Sequence, residues 1–538
     1  MTKQTINNFE SNRNSKAAES ASVRGVHLTE RQEGDIVVLG IKIDTQDDTD
    51  GKRAVATLVA PGGQVYYTGL YRGEGEITIP SPNLWWPTGL GVQNLYKLTV
   101  NLYSRSEIAD TLEIDVGLRF FSQDEGGILV NGVRFIPRGA EYVSESKLPS
   151  ELTEERAEWL LSDFRQSGFN TVYLSESSTA PEWLYSIADR LGLVVFCDGK
   201  EEKFSSVENH ASVLLSESAV NSGAAMPLRL GFGSLPAEDT LMTVVDAECA
   251  NLFSPEVERI TDGEGIGLRI VNAMAEEYKY PYTLRELTYV SGLLQASELS
   301  SAVEKMRLGR DTGGFRLSRL ADHSPLVSES CIDSLGVRKA ICFAAQRALA
   351  PISAIVEDDG GRVEISISNE REWSFFGTLK YSILDSENNL IFSRLAVVDV
   401  PSHSVVRACV SDIRDTIRSH ESDYYLAYTL SEGGAEFFEG THLFTKSKYF
   451  NFKQPTFTSE ITGTAPDFTL VISSDVFVKD ARIDFESSDA QAEQSYVDFT
   501  SSMPIRIPLR VPTRTTAQKL LRKLRITSHY DVGRGARK

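Results

Sequence analysis

The feature that most constrains this chain is a double change in the period of its hydrophobic pattern. From residue 23 to 119, apolar and polar residues alternate in DIVVLGIKID, AVATLVA, YKLTVNLYS and TLEIDVG, with Gly-rich and Pro-rich turns between the runs. A period of two places every second side chain on the same face of a strand, and several such runs in succession predict a β-sandwich. After Asn131-Gly132, a strong hairpin dipeptide, the pattern changes. Short apolar runs (NTVYLS, LVVFCD, ASVLLS) now alternate with helical stretches such as ERAEWLLSDFRQSG and APEWLYSIADRLG, which predicts parallel α/β packing. A long helical pattern, YTLRELTYVSGLLQASELSSAVEKMRLG, leads to the strand-like GGFRLSRL and to a helix in VRKAICFAAQRALAP. From about residue 354 the period of two returns in GRVEISISN, GTLKYSILD and DYYLAYTLS, and again after Asn451 in FTLVISS, ARIDFES and IRIPLRV. The order is therefore β, α/β, β, β.

Composition narrows the function classes. The 538 residues suffice for three or four domains at about 100 to 200 residues each. Lys plus Arg number 55 against 75 Asp plus Glu, so the net charge is 55 − 75 = −20. That sign argues against nucleic acid or an anionic membrane as the main partner. The basic C-terminal segment AQKLLRKLRITSHYDVGRGARK reads as solvated surface on an acidic protein. The five cysteines, Cys197, Cys249, Cys331, Cys342 and Cys409, have no Cys-x-x-Cys spacing, so buried reduced thiols are expected rather than a disulfide framework or a zinc site. The seven histidines show no ligand spacing, and no metal or cofactor is implied. Gly231-Phe232-Gly233 and the run from Asp262 to Gly267 do not complete a phosphate-binding fingerprint and read as turns. Residues 1–22 are polar and read as a flexible leader; with no signal-type or membrane-spanning run, a cytoplasmic location is expected.

One stretch carries family information. Pro82 to Tyr96 reads PNLWWPTGLGVQNLY, followed by an alternating strand, the Gly117-Leu118-Arg119 turn and VNGVRFIPRGA. In that order these motifs resemble glycoside hydrolase family 2, specifically its β-mannosidase-like branch. The resemblance resumes in NTVYLS, IADRLGLVVFCD and ADHSPLVSESCIDSLGVRKAICFAAQRALAPI, and covers roughly residues 23 to 530. It implies an immunoglobulin-like β-sandwich over 23–119, an abbreviated TIM-type (β/α) barrel over 120–353, a β-sandwich over 354–446 and a C-terminal β-sandwich with its basic tail over 447–538. It also implies a missing part, because family members begin with a jelly-roll sugar-binding domain for which this chain has no room.

The chemistry of that family fixes what the site must hold. Retaining glycosidases use two carboxyl groups about 5 to 5.5 Å apart, one as nucleophile and one as general acid and then base. In the family the acid/base glutamate is the twelfth residue of a run that opens His-Pro-Ser, and it follows an asparagine. Here the run opens at His210, the twelfth position is Asn221, and Val220 precedes it. An amide can neither protonate a leaving oxygen nor activate water. The nucleophile motif corresponds to Ala247-Glu248-Cys249-Ala250 with Pro255 beyond it, so Glu248 is the candidate nucleophile. It is equally readable as a polar strand-end residue.

Other positions that the resemblance assigns to the sugar have also changed. The family's arginine and tryptophan after the second barrel strand correspond to Tyr173 and Ser175, and its Trp-Gln-Asp after the third to Phe196, Cys197 and Asp198. The run on the last strand corresponds to Ser318 through Asp322. Tyr173, Asp198 and Asp322 are thus the remaining candidate substrate contacts, while the five tryptophans fall elsewhere and read as structural. Only 248 − 221 = 27 positions separate Asn221 from Glu248, against about 30 residues for a single strand-helix-strand unit. The barrel is therefore expected to be abbreviated or partly open.

The resulting expectation is a family 2 β-mannosidase-like protein with lost or strongly reduced glycosidase activity, serving as a carbohydrate-related scaffold or binding module. The alternative is an active retaining β-glycosidase in which Glu248 is the nucleophile and a displaced acid, Glu217 or Asp322, replaces the lost one. The partners expected are a carbohydrate ligand and a companion polypeptide or a second copy of the chain.

Overall fold

The computed structural model describes residues 22–45, 53–104, 107–124, 127–142, 154–174, 180–197, 207, 209–215, 243–244, 272, 274–309, 314–317, 319–322, 327–328, 330–333, 336–486, 490–511 and 515–534. They fall into two compact units. The first comprises the described residues up to 215 apart from Gln166–Phe169, and the second comprises Gln166–Phe169 and the described residues from 243 onward.

The first unit opens with a sandwich whose period was plain in the sequence. A three-stranded sheet (Val23–Glu33, Ile36–Thr45, Glu74–Pro80) faces a four-stranded one (Arg53–Val59, Val65–Leu70, Tyr96–Ser104, Glu107–Val116). Alternate residues Val37, Leu39, Ile41, Ala56, Leu58, Leu98 and Val100 fill the space between them. Burying such a face is the main source of stability for a sandwich. The predicted hairpin follows: Gly127–Val130 pairs with Val133–Arg134, and Asn131 and Gly132 both have positive φ, 52° and 81°. That turn needs the left-handed region at both positions, which explains the Asn-Gly pair.

The α/β segment continues from it. Arg138–Glu141, Thr171–Leu174, Val194–Cys197 and Val213–Leu215 pair in parallel in that order. Between them run helices α1 (Glu154–Gln166) and α2 (Glu182–Leu191); α2 ends on Gly192 in the left-handed conformation (φ 74°). The second strand is buried at all four positions, TVYL, and so is the third, VVFC. Parallel strands covered on both faces read as continuous apolar runs, as these do.

In the second unit, helices α3 (Leu284–Arg307) and α4 (Ala340–Ala348) pack through Leu287, Val290, Leu293, Ala340, Phe343 and Ala344. Helix α3 begins with a capping box: Thr283 Oγ1 accepts from the Glu286 N–H at 3.2 Å and donates to the Glu286 carboxylate at 3.1 Å. Two sandwiches follow. One sets the sheet of Ile352–Asp359, Arg362–Asn369 and Ser404–Asp412 against Phe375–Asp385, Leu390–Val400, Tyr424–Glu432 and Ala435–Leu443. The other sets Phe457–Thr464, Asp467–Ser474, Gln491–Ala492 and Ile505–Arg510 against Val478–Phe485, Val497–Phe499 and Leu524–Thr527.

The fold is multidomain and mostly β with sandwich-like sheets; in the segment expected as an abbreviated or partly open barrel the described residues show four strands paired in parallel, which do not by themselves form a barrel. Two features differ from the sequence reading. The segment leading toward Glu248 is not a parallel strand where it is described: Thr243–Val244 pairs antiparallel with Val327–Ser328. The basic C-terminal segment is not merely solvated surface, since Ala517–Lys523 is a helix, Leu524–Thr527 completes a sheet, and His529 is buried. Apolar Leu520 and Ile526 anchor it to the core, while Lys519, Arg522, Lys523 and Arg525 are exposed. The cysteine expectation holds for the residues described: Cys197, Cys331 and Cys342 are buried free thiols, and Cys409 is partly buried. No helix among the described residues is long and apolar enough to cross a membrane.

Candidate functional site

In a parallel α/β layer, ligands meet the carboxyl ends of the strands. Here those ends lead into residues 143–153, 175–179, 198–206 and 216–242. Asp198, Glu217 and Asn221 sit there, and with Glu248 they lie outside the described residues. What the structure describes is the framework that presents this edge.

Tyr173 is on the second parallel strand, buried at 3% exposure, with its ring 5.6 Å from that of Phe196. Both belong to an apolar cluster with Trp85, Ile128, Val130, Val194 and Leu214. The position that the resemblance assigns to a sugar-binding arginine is thus occupied by an aromatic packed into the core. Trp85, from the LWWP motif, is completely buried in the same cluster and donates through Nε1 to the Asp189 carbonyl at 2.8 Å. Trp86 is followed by Gly91 and Gln93, whose side-chain amide donates to the Trp86 carbonyl at 3.0 Å and closes the motif's loop.

A chain of charged groups anchors the start of the last parallel strand. His210 donates from Nδ1 to Asp189 at 2.6 Å and from Nε2 to Glu182 at 2.8 Å, and its ring stacks on Tyr185 at 5.5 Å. Burial lowers its basicity, but the hydrogen bonds and charges of Asp189 and Glu182 outweigh burial and raise the imidazolium's pKa to about 9. The second Asp189 oxygen accepts the Ser212 N–H at 2.7 Å. From the sandwich, Arg119 of the Gly-Leu-Arg turn donates to the carbonyls of Ala211 and His210, both at 3.1 Å, and pairs with Glu30 at 2.8 Å. Burial pushes the Glu30 carboxyl up even though Arg119 opposes it. Asn209 Oδ1 accepts the Leu28 N–H at 3.1 Å, adding a second tie to the same sandwich strand. Gly117 permits the close approach, because a Cβ there would lie 2.4 Å from the Ala211 Cβ. Sequence reading placed His210 at the head of the motif but missed its partners; the signal was the Gly-Leu-Arg turn, with a glycine that only a close contact explains.

This constellation positions rather than reacts. A histidine held between two carboxylates is a fixed cation, and among the described residues no nucleophile is bonded to it. It fixes where the strand Val213–Leu215 begins.

Asp322, in the second unit, has a different environment. Its side chain has no exposed surface, and Oδ2 accepts from Lys339 Nζ at 2.8 Å. The same ammonium donates to Ser330 Oγ at 2.6 Å, which in turn donates to the Ile332 carbonyl at 3.0 Å. Burial lowers the basicity of Lys339, with Asp322 acting in the opposite sense. Beside it the Cys342 thiol donates to the Cys331 carbonyl at 3.0 Å, and burial pushes the Cys331 thiol up. Asp322 is a buried ion-pair partner that a substrate oxygen cannot reach in this arrangement. Among the described residues no group of three His, Cys, Asp or Glu side chains is placed to hold a metal ion.

A family model described as glycosyl hydrolases family 2 matches residues 10–119, and one described as a mannosidase Ig/CBM-like domain matches residues 361–449. Beta-mannosidase A of Emericella nidulans is 24% identical over 136 residues, which is 22% of this chain and 14% of that protein's length. The matched stretch is thus a small part of the relative. Among solved structures, β-D-mannosidase from Dictyoglomus thermophilum superposes with a TM-score of 0.79 at 17% identity, covering 95% of this chain and 77% of that one. Amycolatopsis orientalis exo-chitosanase superposes at 0.71 and 13% identity, covering 95% and 78%. At these identities the likeness is one of fold.

Proposed function

Taking the chain as a β-mannosidase-like protein of glycoside hydrolase family 2, we propose that it has lost ordinary glycosidase activity or keeps a strongly reduced one, and that it acts as a carbohydrate-related scaffold or binding module. The observation that carries this reading is Asn221 at the position of the acid/base glutamate. Without a proton donor a glycosidase forfeits about 10² to 10⁴ in rate. Two further observations support it. Tyr173 is packed into the core instead of facing a sugar, and Asp322, one of the two candidate replacement acids, is buried against Lys339. The α/β segment is read as a shortened barrel of the family type, with Glu248 kept as a vestigial nucleophile.

The test is hydrolysis of 4-nitrophenyl β-mannoside by purified protein beside its Glu248→Gln variant. The two are expected to be indistinguishable. Robust turnover with a bell-shaped pH profile, abolished by Glu248→Gln, would overturn the reading and point to Glu217 as the displaced acid. Activity appearing only when a second polypeptide is added would identify the chain as one part of a split enzyme.

A further inference from the structure

The second unit holds a cleft of about 370 Å³ lined by Tyr278, Tyr280, Tyr282, Lys279, Lys448 and Tyr449, together with Ala275 and Gly533. That volume lies within the about 300 to 1,000 Å³ of small-molecule sites. Its tyrosines contrast with Tyr173 and Phe196 of the parallel strands, which are packed into the core. Tyr282 is 60% exposed and Tyr449 61% exposed. The Tyr280 ring meets that of Tyr282 edge-on at 5.6 Å, an arrangement that holds an exposed ring in place without covering its face.

The walls are fixed in advance. The Glu286 carboxylate accepts the backbone N–H of Tyr282 at 3.0 Å and that of Gly533 at 2.9 Å, tying two segments that border the cleft to the capping box of α3. Lys448 donates to the Ala275 carbonyl at 2.9 Å while its ammonium lies 5.1 Å from the centre of the Tyr449 ring. Tyr278 backs the cleft by stacking on His529 at 5.6 Å. Sites that bind without reorganising keep more of their contact energy.

The charge is also specific. Lys279 is half-buried, and no hydrogen-bond or ion-pair partner for it is found among the described residues; its basicity is lowered by burial and by the nearby Arg534 guanidinium. The neighbouring carboxylates Glu276 and Glu277 are already taken by Lys446, at 3.3 and 2.8 Å. On a chain of net charge −20 this leaves a local concentration of positive charge among tyrosine faces. A partly desolvated ammonium without a counter-charge is costly, and an anionic ligand relieves that cost. Tyrosine rings offer an apolar face for the C–H side of a pyranose and a hydroxyl at the rim for its oxygens.

We propose that this cleft binds an acidic saccharide, with Tyr282 and Tyr449 stacking on a pyranose ring and Lys279 and Lys448 taking its carboxylate. None of the residues that carry the proposed loss of hydrolysis lines this cleft, and the proposal stands whether or not those residues turn over a glycoside.

The experiment is calorimetric titration of the full chain with a mannuronate tetrasaccharide and, separately, with neutral mannotetraose. The acidic probe is expected to bind at least tenfold more tightly, with the difference shrinking as salt is raised. Tyr282→Ala and Tyr449→Ala each weaken that binding at least tenfold. Lys279→Gln abolishes the preference for the acidic probe but keeps the residual affinity for the neutral one. Glu248→Gln leaves all of these values unchanged, which separates this site from the hydrolytic reading. Thermal melting of each variant at the wild-type temperature confirms that the surface changes leave the fold intact. The proposal is overturned if the wild-type chain binds neither probe at millimolar concentration, if both probes bind alike, or if binding survives the double Tyr282→Ala, Tyr449→Ala variant.

Discussion

His210 opens the run that the resemblance compares with the family's acid/base motif, Asp322 is a position that it compares with a sugar contact, and the structure treats the two in opposite ways. His210 keeps a supporting role: carboxylates on both ring nitrogens and an arginine on its carbonyl set the start of a strand. Asp322 lies in the interior, its carboxylate paired with a buried lysine. The difference teaches that charged residues of one motif family can do different physical work: one set fixes the start of a strand through several hydrogen bonds, and the other neutralises a single buried charge.

The largest effect is expected where the buried pair is broken. Lys339→Ala leaves the Asp322 carboxylate buried without its cation, and removing one partner of such a pair costs about 3 to 5 kcal/mol. Denaturant unfolding of the second unit measures it, and a loss below about 1 kcal/mol would mean that Asp322 is hydrated after all. The double change Lys339→Met, Asp322→Leu should recover most of that loss, since apolar groups of similar volume replace buried ion pairs at little cost.

The supporting position predicts a pH dependence with a definite sign. His210 is raised from 6.5 to about 9, so its stabilising contribution is fully present below pH 6.5 and fades as pH rises through 9. The shift corresponds to at most about 3 kcal/mol. The melting temperature of the first unit should fall between pH 7 and 10, and His210→Gln should flatten that slope. An unchanged slope in the variant would remove His210 from the account.

A smaller effect tests the contact that lets the sandwich reach the His210 segment. Gly117→Ala places a Cβ 2.4 Å from the Ala211 Cβ and 3.0 Å from the Trp85 Cβ, and overpacking of this kind costs about 1 to 3 kcal/mol. Smallest of all is Trp373→Ala. That ring is 63% exposed with Arg371 5.9 Å from its centre, and surface changes of this sort stay within about 0.5 kcal/mol. A larger loss would show that Trp373 packs more tightly than its exposure indicates.

The sequence announced most of the elements, because a period of two or of 3.6 is a local property. The runs DIVVLGIKID, NTVYLS and LVVFCD contain the strands Ile36–Thr45, Thr171–Leu174 and Val194–Cys197, and the long pattern after Tyr282 is a helix with its Thr283–Glu286 cap. Partner choice was not legible, since it depends on residues far apart in the chain. Nothing near Thr243 shows that it pairs antiparallel with Ser328. Nothing in SESCIDSLGVRK says that its lysine reaches back 17 residues to Asp322. The C-terminal segment misled because a count of charges hides the spacing of Leu520, Leu524 and Ile526 that sets it against the last sandwich. The tyrosine cleft was missed for the same reason, its walls coming from residues around 280, 449 and 533.

The central claim is that the family framework persists while the proton donor is gone. Its most direct test is mannose release from β-1,4-mannobiose, whose sugar leaving group needs protonation, by wild-type protein, Glu248→Gln and Asn221→Glu. The account predicts no release by the wild type above the Glu248→Gln background, and it is contradicted if the wild type releases mannose at a steady rate that Glu248→Gln abolishes.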